Sequence, residues 1–344
     1  MQKFLISNDP DLYEAWPDVV LADNGTLVAV FTECTHHKDR SYSRIMLTES
    51  NDRGRTWTPK HSLTEGTRNL PYHYNCARIT KITGGRLVIT LDRVLHGKED
   101  DPNKSIVLLF FSDDNGVSWT EGIETPLHGI VPDRLIELDN GRWIIAAHHA
   151  EGTGLVETMY YSDDQGVNWS EKIVVAKSGD LKLCEVCMLP LGAGKIAAFL
   201  RENSLKGYDC KKVLSYDNGE SWSEVIDFPI CGCHRPTAGF LKNGQVFITY
   251  RFMQGGGGEI WERAQNFMGY LTDLKSVEST KREGANGRVI PIDHDRSPFA
   301  DLGYSGWVEF EDGEIYIVSY IVDDAYDKGQ IRGYSLRLTE FILP

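Results

Sequence analysis

A strand-turn-strand unit that recurs six times constrains the fold of this chain more than any other feature of its sequence. Each copy has a short apolar run, a turn centred on glycine and a second apolar run, as in PDVVLADNGTLVAVF from Pro17 and PDRLIELDNGRWIIAA from Pro132. Asn-Gly and Asp-Gly between apolar runs indicate β-hairpins, because these residues tolerate the positive φ of tight turns. The six turn glycines are Gly25, Gly85, Gly141, Gly194, Gly244 and Gly313.

The spacing of these glycines indicates the architecture. Consecutive turn glycines lie 50 to 69 residues apart, which is too long for the common helical repeats and typical of a four-stranded propeller blade. Since six copies nearly exhaust the 344 residues, the sequence predicts an all-β fold: one six-bladed β-propeller domain over residues 1–344, with four-stranded antiparallel blades. The N-terminal residues KFLIS are expected to close the ring beside outer strands supplied by the C-terminal segment QIRGYSLRLTEFIL.

Two departures from the repeat lie in its longest interval, between Gly244 and Gly313. Residues 259–267 carry the only pattern that suggests a short helix. The run of four glycines at residues 255–258 lacks the Lys and Ser or Thr of a phosphate-binding loop, which argues against nucleotide binding. We interpret this run either as a solvated connection or as a mobile loop over the ring centre.

A second motif, S-x-D-x-G-x-x-W, follows the turn glycine in four of the six repeats and predicts the hairpin between the third and fourth strands. Its Asp side chain can bond turn amides, its Gly can take positive φ, and its Trp can pack beneath the turn. These residues are therefore interpreted as structural, and only remnants remain near residues 270–273 and 333–335. The four motifs are Ser50/Asp52/Gly54/Trp57, Ser112/Asp114/Gly116/Trp119, Ser162/Asp164/Gly166/Trp169 and Ser215/Asp217/Gly219/Trp222.

The composition argues against several classes of partner. The formal net charge is −14, so nucleic acid and anionic membranes are not expected to bind, because both repel such a surface. No apolar run reaches the roughly 18 residues of a membrane span, and the start, MQKFLISNDP, has no secretory leader pattern. With an odd count of seven cysteines, these features favour a reducing, cytoplasmic location.

Two cysteine spacings resemble metal-ligand pairs. They are Cys184-x-x-Cys187 and Cys231-x-Cys233-His234. The alternative, which we favour, is that these cysteines are small buried residues of strands. No metal and no cofactor is therefore expected.

Polar residues recur where the inner strands begin and where the second strands end, two sets of positions that face the centre of a propeller. An unpaired carboxylate in the apolar strand LCEVCMLPL would be costly, which makes Glu185 the strongest functional candidate. The strand starts contribute Asp18, Arg78, Asp133, Arg134, Glu185, Arg235 and Tyr304, and the strand ends contribute Glu33, Arg93, His148, His149, Arg201 and Arg251.

The S-x-D-x-G-x-x-W motif is called an Asp box. Four Asp boxes on six predicted blades resemble the sialidase superfamily, whose members are also called BNR-repeat proteins. The resemblance covers nearly the whole chain. It implies that Tyr304, followed by Ser305, is a nucleophile and that Glu185 activates it. A neutral tyrosine suits a substrate that carries a carboxylate on its anomeric carbon, because a carboxylate nucleophile would be repelled.

The same resemblance implies further roles at the ring centre. Arg201 and Arg251 correspond to arginines that bind the substrate carboxylate, and Arg235 is another candidate for that role. Asp39 matches the general acid of the family. His36 and His37 compete for this role or for substrate hydroxyls.

The chain departs from the family pattern in its first blade. Sialidases have an Arg-Ile-Pro segment whose arginine anchors the carboxylate, whereas this chain has Ala15-Trp16-Pro17. Loss of one of three charge-assisted contacts weakens carboxylate recognition. Arg78 is a candidate to restore the charge, and Trp16 is a candidate to stack against a sugar ring.

Three functions are compatible with these residues. The favoured one is a sialidase-type glycoside hydrolase acting on a terminal, acidic sugar of a glycan, because the candidate residues come from several blades. The second is a polysaccharide lyase or other carbohydrate-active enzyme, with Tyr304, His148 or His149 as acid or base. The third is a non-catalytic glycan-binding propeller. In each case the expected partner is a glycan or a small carbohydrate.

Overall fold

The computed structural model describes residues 1–96, 101, 104–253, 263–324 and 327–341. Within these residues, 24 strands form six antiparallel sheets of four strands each. This arrangement confirms the predicted six-bladed β-propeller. Five blades use strands that are consecutive in sequence, and the sixth combines three C-terminal strands with the N-terminal strand.

The strands of each blade follow one another from the ring centre outward. The first blade consists of β2 (Tyr13–Leu21), β3 (Leu27–His36), β4 (Asp39–Ser50) and β5 (His61–Ser62). The second consists of β6 (Tyr72–Lys81), β7 (Leu87–Leu95), β8 (Ser105–Ser112) and β9 (Ile123–Glu124). The third consists of β10 (Ile136–Glu137), β11 (Trp143–Glu151), β12 (Gly154–Ser162) and β13 (Ile173–Lys177). The fourth blade consists of β14 (Leu183–Gly192), β15 (Lys195–Glu202), β16 (Asp209–Ser215) and β17 (Ile226–Cys231). The fifth consists of β18 (Cys233–Phe240), β19 (Val246–Phe252), β20 (Asn266–Thr272) and β21 (Gly287–His294). The sixth consists of β22 (Leu302–Glu309), β23 (Ile315–Ile321), β24 (Gln330–Leu336) and β1 (Gln2–Ser7).

Strands from both ends of the chain close the ring. β1 pairs antiparallel with β24, and Phe4 lies opposite Gly333, which confirms the predicted position of KFLIS. β22, the first strand of the sixth blade, packs against β2 of the first. The sixth blade is therefore joined to the first both by packing and by the chain itself.

The predicted helix at residues 259–267 is wrong where the structure describes it. Residues 254–262, which include the glycine run 255–258, lie outside the described part of the chain. Phe267 belongs to β20 and pairs with Arg251 of β19, because pairing within a blade overrides local helical preference. Instead, α1 (Leu274–Glu278) follows this strand, capped by the Asp273 side chain.

Other helical structure in the described residues consists of single 3₁₀ turns. None of the described helices is long and apolar enough to cross a membrane. The 3₁₀ turns are Thr83–Gly85, Arg282–Gly284 and Leu338–Glu340.

The four Asp boxes are structural, as predicted. In the first, Ser50 Oγ donates to Asp52 Oδ1 at 2.8 Å and accepts the N–H of Gly54 at 2.8 Å. The Trp57 indole donates to the carbonyl of Gly54 at 3.2 Å. The serine, aspartate and glycine make the same contacts in the other three boxes. Each box joins the third strand of its blade to the fourth, so the boxes do not contribute to the ring centre.

A residue with positive φ recurs near the start of the first strand in every blade. In five blades this position is a β-bulge, where the register with the second strand shifts. Five of the six residues are not glycine, and such a conformation costs ~1–3 kcal/mol. Strain of this kind is concentrated at functional sites. The six residues, which we call the bulge residues, are Trp16, Cys76, Val131, Glu185, Arg235 and Gly303, with φ from 39° to 98°.

The residue two positions after a bulge residue joins its blade to another. Asp18 accepts the N–H of Ile79 in the second blade at 3.0 Å. Asp133 and Cys187 accept the corresponding N–H of the following blade at 2.6 and 3.2 Å. The Thr237 hydroxyl donates to a backbone carbonyl of the sixth blade at 3.0 Å. These contacts hold the first strands in a ring and fix the positions of the bulge residues.

Candidate active site

Three side chains from two blades form the centre of the candidate site. The Tyr304 hydroxyl donates a hydrogen bond to Glu185 Oε1. Arg201 Nη1 donates to the same carboxylate oxygen at 2.7 Å and to the Tyr304 hydroxyl oxygen at 3.3 Å. All three residues are at least 93% buried. The structure therefore brings together the three residues that the sequence predicts as nucleophile, activating carboxylate and anion-binding arginine.

The local backbone explains how these side chains meet. Glu185 is the bulge residue of β14, and its N–H donates to His148 Nδ1 at 3.3 Å. Arg201 lies at the end of β15 and pairs with Cys184, next to the bulge. Tyr304 directly follows the bulge glycine of β22. The distortion of the two first strands thus places the phenol and the carboxylate side by side.

The electrostatics keep a proton on Tyr304 and a charge on Glu185. Burial and the neighbouring carboxylate raise the pKa of the Tyr304 phenol well above its ordinary value. Burial alone would raise the pKa of Glu185, but Arg201 and Arg235 outweigh it and lower that pKa. The second oxygen, Glu185 Oε2, is buried and has no hydrogen-bond partner among the described residues. The carboxylate therefore has the capacity to accept a proton.

Two further predicted arginines flank the Tyr304 ring. The guanidinium of Arg251 lies 5.4 Å from the ring centroid, and that of Arg235 lies 5.8 Å from it. Arg235 is a bulge residue and donates to the Pro132 carbonyl at 2.8 Å. Backbone carbonyls hold the Arg235 guanidinium, so its contacts do not support direct substrate binding.

Asp301 organises the side of the site next to Arg251. Its carboxylate accepts hydrogen bonds from Tyr13 at 2.6 Å, from Tyr320 at 2.7 Å and from Arg251 at 3.3 Å, and it also bonds the His37 ring. Burial would raise the pKa of Asp301, but His37 and Arg251 lower it to about 2. Sequence reasoning missed this residue because it follows no repeat position. Its one signal is that it lies three residues before Tyr304.

Trp16 is buried rather than open to a sugar, which corrects the predicted stacking. Only 2% of the residue is exposed, and its ring packs edge-on against His37 with centroids 5.0 Å apart. The guanidinium of Arg40 covers the indole, 4.0 Å from its centroid. Trp16 therefore contributes by supporting Arg40 through a cation–π contact.

Arg40 is the second functional candidate that sequence reasoning missed. Its Nη1 donates to Asn75 Oδ1 at 2.7 Å and its Nε donates to the His37 carbonyl at 3.1 Å. Asn75 donates in turn to Asp92 at 3.3 Å. Arg40 is half-buried and pairs with no carboxylate among the described residues. A guanidinium thus lies over Trp16, beside the position where the family's first arginine is absent.

Arg78, predicted to restore the missing charge, has internal partners. It forms an ion pair with Asp18 at 3.2 Å and donates to the Ser305 carbonyl at 3.1 Å. It lies two residues after the bulge residue of the second blade, among the contacts between blades. Its contacts therefore account for its charge without a substrate.

The predicted acid candidates lie on the β3–β4 hairpin. Asp39 is exposed, and hydrogen bonds from Ser41 hold the pKa of its carboxyl below its ordinary value. His37 bonds the buried Asp301, and burial lowers the pKa of its imidazole. His36 lines a cavity of about 210 Å³ together with His37.

The structure separates the two histidines that the sequence offered for lyase chemistry. His148 lies behind Glu185 and accepts its N–H, and burial lowers the pKa of His148 to about 4. His149 is the next residue of β11, so its side chain points to the opposite face of the blade. A neutral, buried His148 is consistent with support of Glu185.

The cysteine pairs remain separate thiols. All seven cysteines are free, and only Cys231 is exposed. Among the described residues, no three His, Cys, Asp or Glu side chains are grouped to hold a metal ion. Cys187 accepts the N–H of Ala238, which gives it a place in the contacts between blades.

Solved structures with the same fold include known sialidases. A protein of unknown function from Dyadobacter fermentans is 18% identical, with a TM-score of 0.76 and 97% of each chain covered. The intramolecular trans-sialidase of Ruminococcus gnavus, solved with oseltamivir carboxylate, is 14% identical, with a TM-score of 0.68 and coverage of 99% of this chain and 98% of that one. The NanB sialidase of Streptococcus pneumoniae is 13% identical, with a TM-score of 0.67 and coverage of 98% and 70%. At these identities the likeness shows the fold alone.

The fold and the site together define a sialidase-like, six-bladed Asp-box propeller. A search of curated protein sequences gives no match. The model of the BNR repeat-like domain matches residues 6–126 and 94–251, which together are more than half of the chain. The protein therefore belongs to the BNR repeat-like family, and its fold is that of the sialidase structures compared above.

Proposed function

We propose that the protein is a sialidase-type glycoside hydrolase that removes a terminal acidic sugar from a glycan. The observation that carries this proposal is the hydrogen bond from the buried Tyr304 hydroxyl to the ionised Glu185, with Arg201 bonded to the same carboxylate oxygen. A binding surface or a purely structural propeller does not require this costly buried triad.

The geometry supports a two-step reaction. The Tyr304 oxygen attacks the anomeric carbon while its proton passes to Glu185, and the glycosidic bond breaks. A general acid protonates the departing oxygen. The deprotonated general acid then takes a proton from water as the water oxygen attacks the anomeric carbon, the glycosyl–tyrosine bond breaks, and Glu185 returns its proton to the phenolate. Since the phenol is neutral before attack, it does not repel an acidic sugar.

Cations around Tyr304 supply the recognition of the acidic group. Arg201 and Arg251 come from neighbouring blades, and both lie against the Tyr304 side chain. Guanidinium groups bind carboxylates with charge-assisted and often bidentate hydrogen bonds. This arrangement supports an acidic sugar despite the alanine at position 15.

The general acid is proposed to be Asp39, and we expect Asp39→Asn to act selectively on poor leaving groups. Turnover of a natural glycosidic linkage should fall by ~10²–10⁴-fold. Turnover of a nitrophenyl glycoside should fall far less, because its leaving group needs no proton. Steady-state kinetics with the two substrates measure this difference. His37→Gln is the matched comparison: if it shows the selective loss and Asp39→Asn does not, His37 is the acid.

Gly303 offers a test of the role of Arg251. A Cβ at this position would lie 2.6 Å from Arg251 Cβ, and Gly303 has a φ of +98°. We expect Gly303→Ala to displace Arg251 and to weaken binding of an acidic sugar by about tenfold, as for loss of one charge-assisted contact. Calorimetric titration measures the affinity. Gly244→Ala is the control, because its φ is +83° but no atom lies within 4 Å; equal affinities in the two variants would contradict the assignment.

A trapping experiment tests the function itself. An acidic glycosyl fluoride, deactivated by a second fluorine beside the anomeric carbon, should lose fluoride from that carbon and form an aryl glycoside with the tyrosine that is hydrolysed slowly. Mass spectrometry of the digested protein should place this adduct on Tyr304. Turnover with a product that carries a new ultraviolet-absorbing double bond would instead favour a lyase, and binding without any turnover would favour a glycan-binding propeller.

A further inference from the structure

A basic cleft lies beside the candidate active site. It has a volume of about 590 Å³ and is lined by Lys38, Arg40, Arg68 and His96, with Asp39 as the acidic residue of its lining. Arg68 is exposed, and neither it nor Arg40 forms an ion pair with a described carboxylate. Such a concentration of positive charge is unusual for a chain with a formal net charge of −14.

The electrostatic effect of this cleft reaches the neighbouring side chains. Burial and the charges of Arg40 and His96 lower the pKa of His73 to about 3. The His73 and His96 rings are stacked, with centroids 5.2 Å apart. The cleft therefore combines positive potential with a volume in the range of small-molecule sites, roughly 300–1,000 Å³.

Two residues connect the cleft to the proposed reaction. Arg40 forms a wall of the cleft and also covers Trp16, which packs in one cluster with Tyr304. Asp39, the proposed general acid, lines the same cleft. Because a general acid protonates the departing oxygen, the departing part of the glycan must lie on the side of Asp39.

We infer that the basic cleft is the subsite for the departing part of the glycan, and that this part carries an anionic sugar, either a carboxylated or a sulfated one. The inference rests on the proposed function for its orientation. The substrate class is thus a glycan with at least two neighbouring anionic groups: one held near Tyr304, and one held in the cleft by Arg68 and Arg40.

Ligand-observed NMR titration tests the cleft without requiring turnover. The probes are galactose 6-sulfate, digalacturonate, galactose and sodium sulfate. We expect the two anionic sugars to bind at least tenfold more tightly than galactose, as for one charge-assisted contact, and the affinity should fall as salt rises. Galactose binding equally well overturns the inference. Inorganic sulfate binding as tightly as galactose 6-sulfate also overturns it, because the cleft is then a simple anion site.

Substitutions of Arg68 test whether this residue binds the anionic sugar in the cleft. Arg68→Gln should lower the affinity for both anionic sugars by about tenfold. Arg68→Lys should lower it less, because lysine retains the charge. Arg288→Gln is the control of equal charge change, since Arg288 is exposed and lines a different cleft. Unchanged affinity in Arg68→Gln, or an equal loss in Arg288→Gln, overturns the inference.

Kinetics then separate this inference from the proposed function. With a terminal acidic sugar linked to galactose or to galactose 6-sulfate, wild-type kcat/KM should be higher for the sulfated substrate, and Arg68→Gln should remove the preference. Absence of turnover on all substrates contradicts the hydrolase and leaves the NMR result to decide the cleft. Turnover without preference for the sulfated substrate contradicts the cleft and leaves the hydrolase intact.

Discussion

Replacement of Tyr304 by phenylalanine is expected to reduce kcat by at least ~10³-fold, because it removes the attacking oxygen and leaves no nucleophile beside Glu185. The phenyl ring should still pack beside Arg251 and Arg235, so the affinity for the acidic sugar should change little. Single-turnover kinetics and a binding titration measure the two effects separately.

A matched variant keeps this test specific. Tyr316→Phe removes a buried hydroxyl from the same blade, one that donates to the Gly54 carbonyl in an Asp box at 2.7 Å. It should lower stability and leave turnover intact. Full activity in Tyr304→Phe would rule out the tyrosine nucleophile and, with it, the proposed mechanism.

The second large effect is expected at Asp301, on folding. Asp301→Asn removes the charge opposite Arg251 and turns an amide donor towards hydroxyls that already donate. Removing one partner of a buried ion pair costs ~3–5 kcal/mol, and we expect a loss of this size in the free energy of unfolding. Urea denaturation measures it. Asp113→Asn is the control, because Asp113 is exposed and pairs with Arg86 at the surface; equal effects would contradict the role of Asp301 as an organising residue.

The pKa of Asp301 adds a pH dependence to this prediction. Its folded pKa of about 2 lies below the ordinary value of 3.8, so the ionised form stabilises the folded state above the unfolded pKa. This contribution, about 2 kcal/mol, is present above pH ~4 and is lost as the pH falls towards 2. Urea midpoints between pH 5 and pH 2 should therefore fall less steeply in Asp301→Asn than in the wild type. Parallel curves would contradict the lowered pKa.

The sequence predicted the parts of the site that are encoded by the repeat. Glu185 and Tyr304 lie near the starts of the first strands of two blades, and Arg201 lies near the end of the second strand of the blade that carries Glu185. Aligning the copies, together with the family resemblance, was therefore sufficient to propose that they meet. Arg78 shows the limit of this reasoning. It occupies a strand start as Glu185 does, but it lies two residues after the bulge and faces another blade. A bulge changes the direction of the side chains that follow it, and the sequence carries no clear signal of its position.

The residues that sequence reasoning missed lie beside connections between strands. Arg40 follows the β3–β4 turn and reaches the ring centre by stacking on Trp16, a contact that no local pattern predicts. Asp301 precedes β22, and its four partners come from three different blades. Charged residues in connections are usually solvated, so tertiary contacts alone distinguish these two.

The bulge residues have a consequence for how such a ring acquires new specificity. Five blades present one side chain at the bulge residue, and contacts that hold the blades together are made two residues later. A combinatorial library limited to the bulge codons should therefore change the groups packed around Tyr304 without removing the contacts that join the blades. Position 303 is the exception, because only glycine fits beside Arg251. Five codons, rather than six, are open to selection for a different sugar.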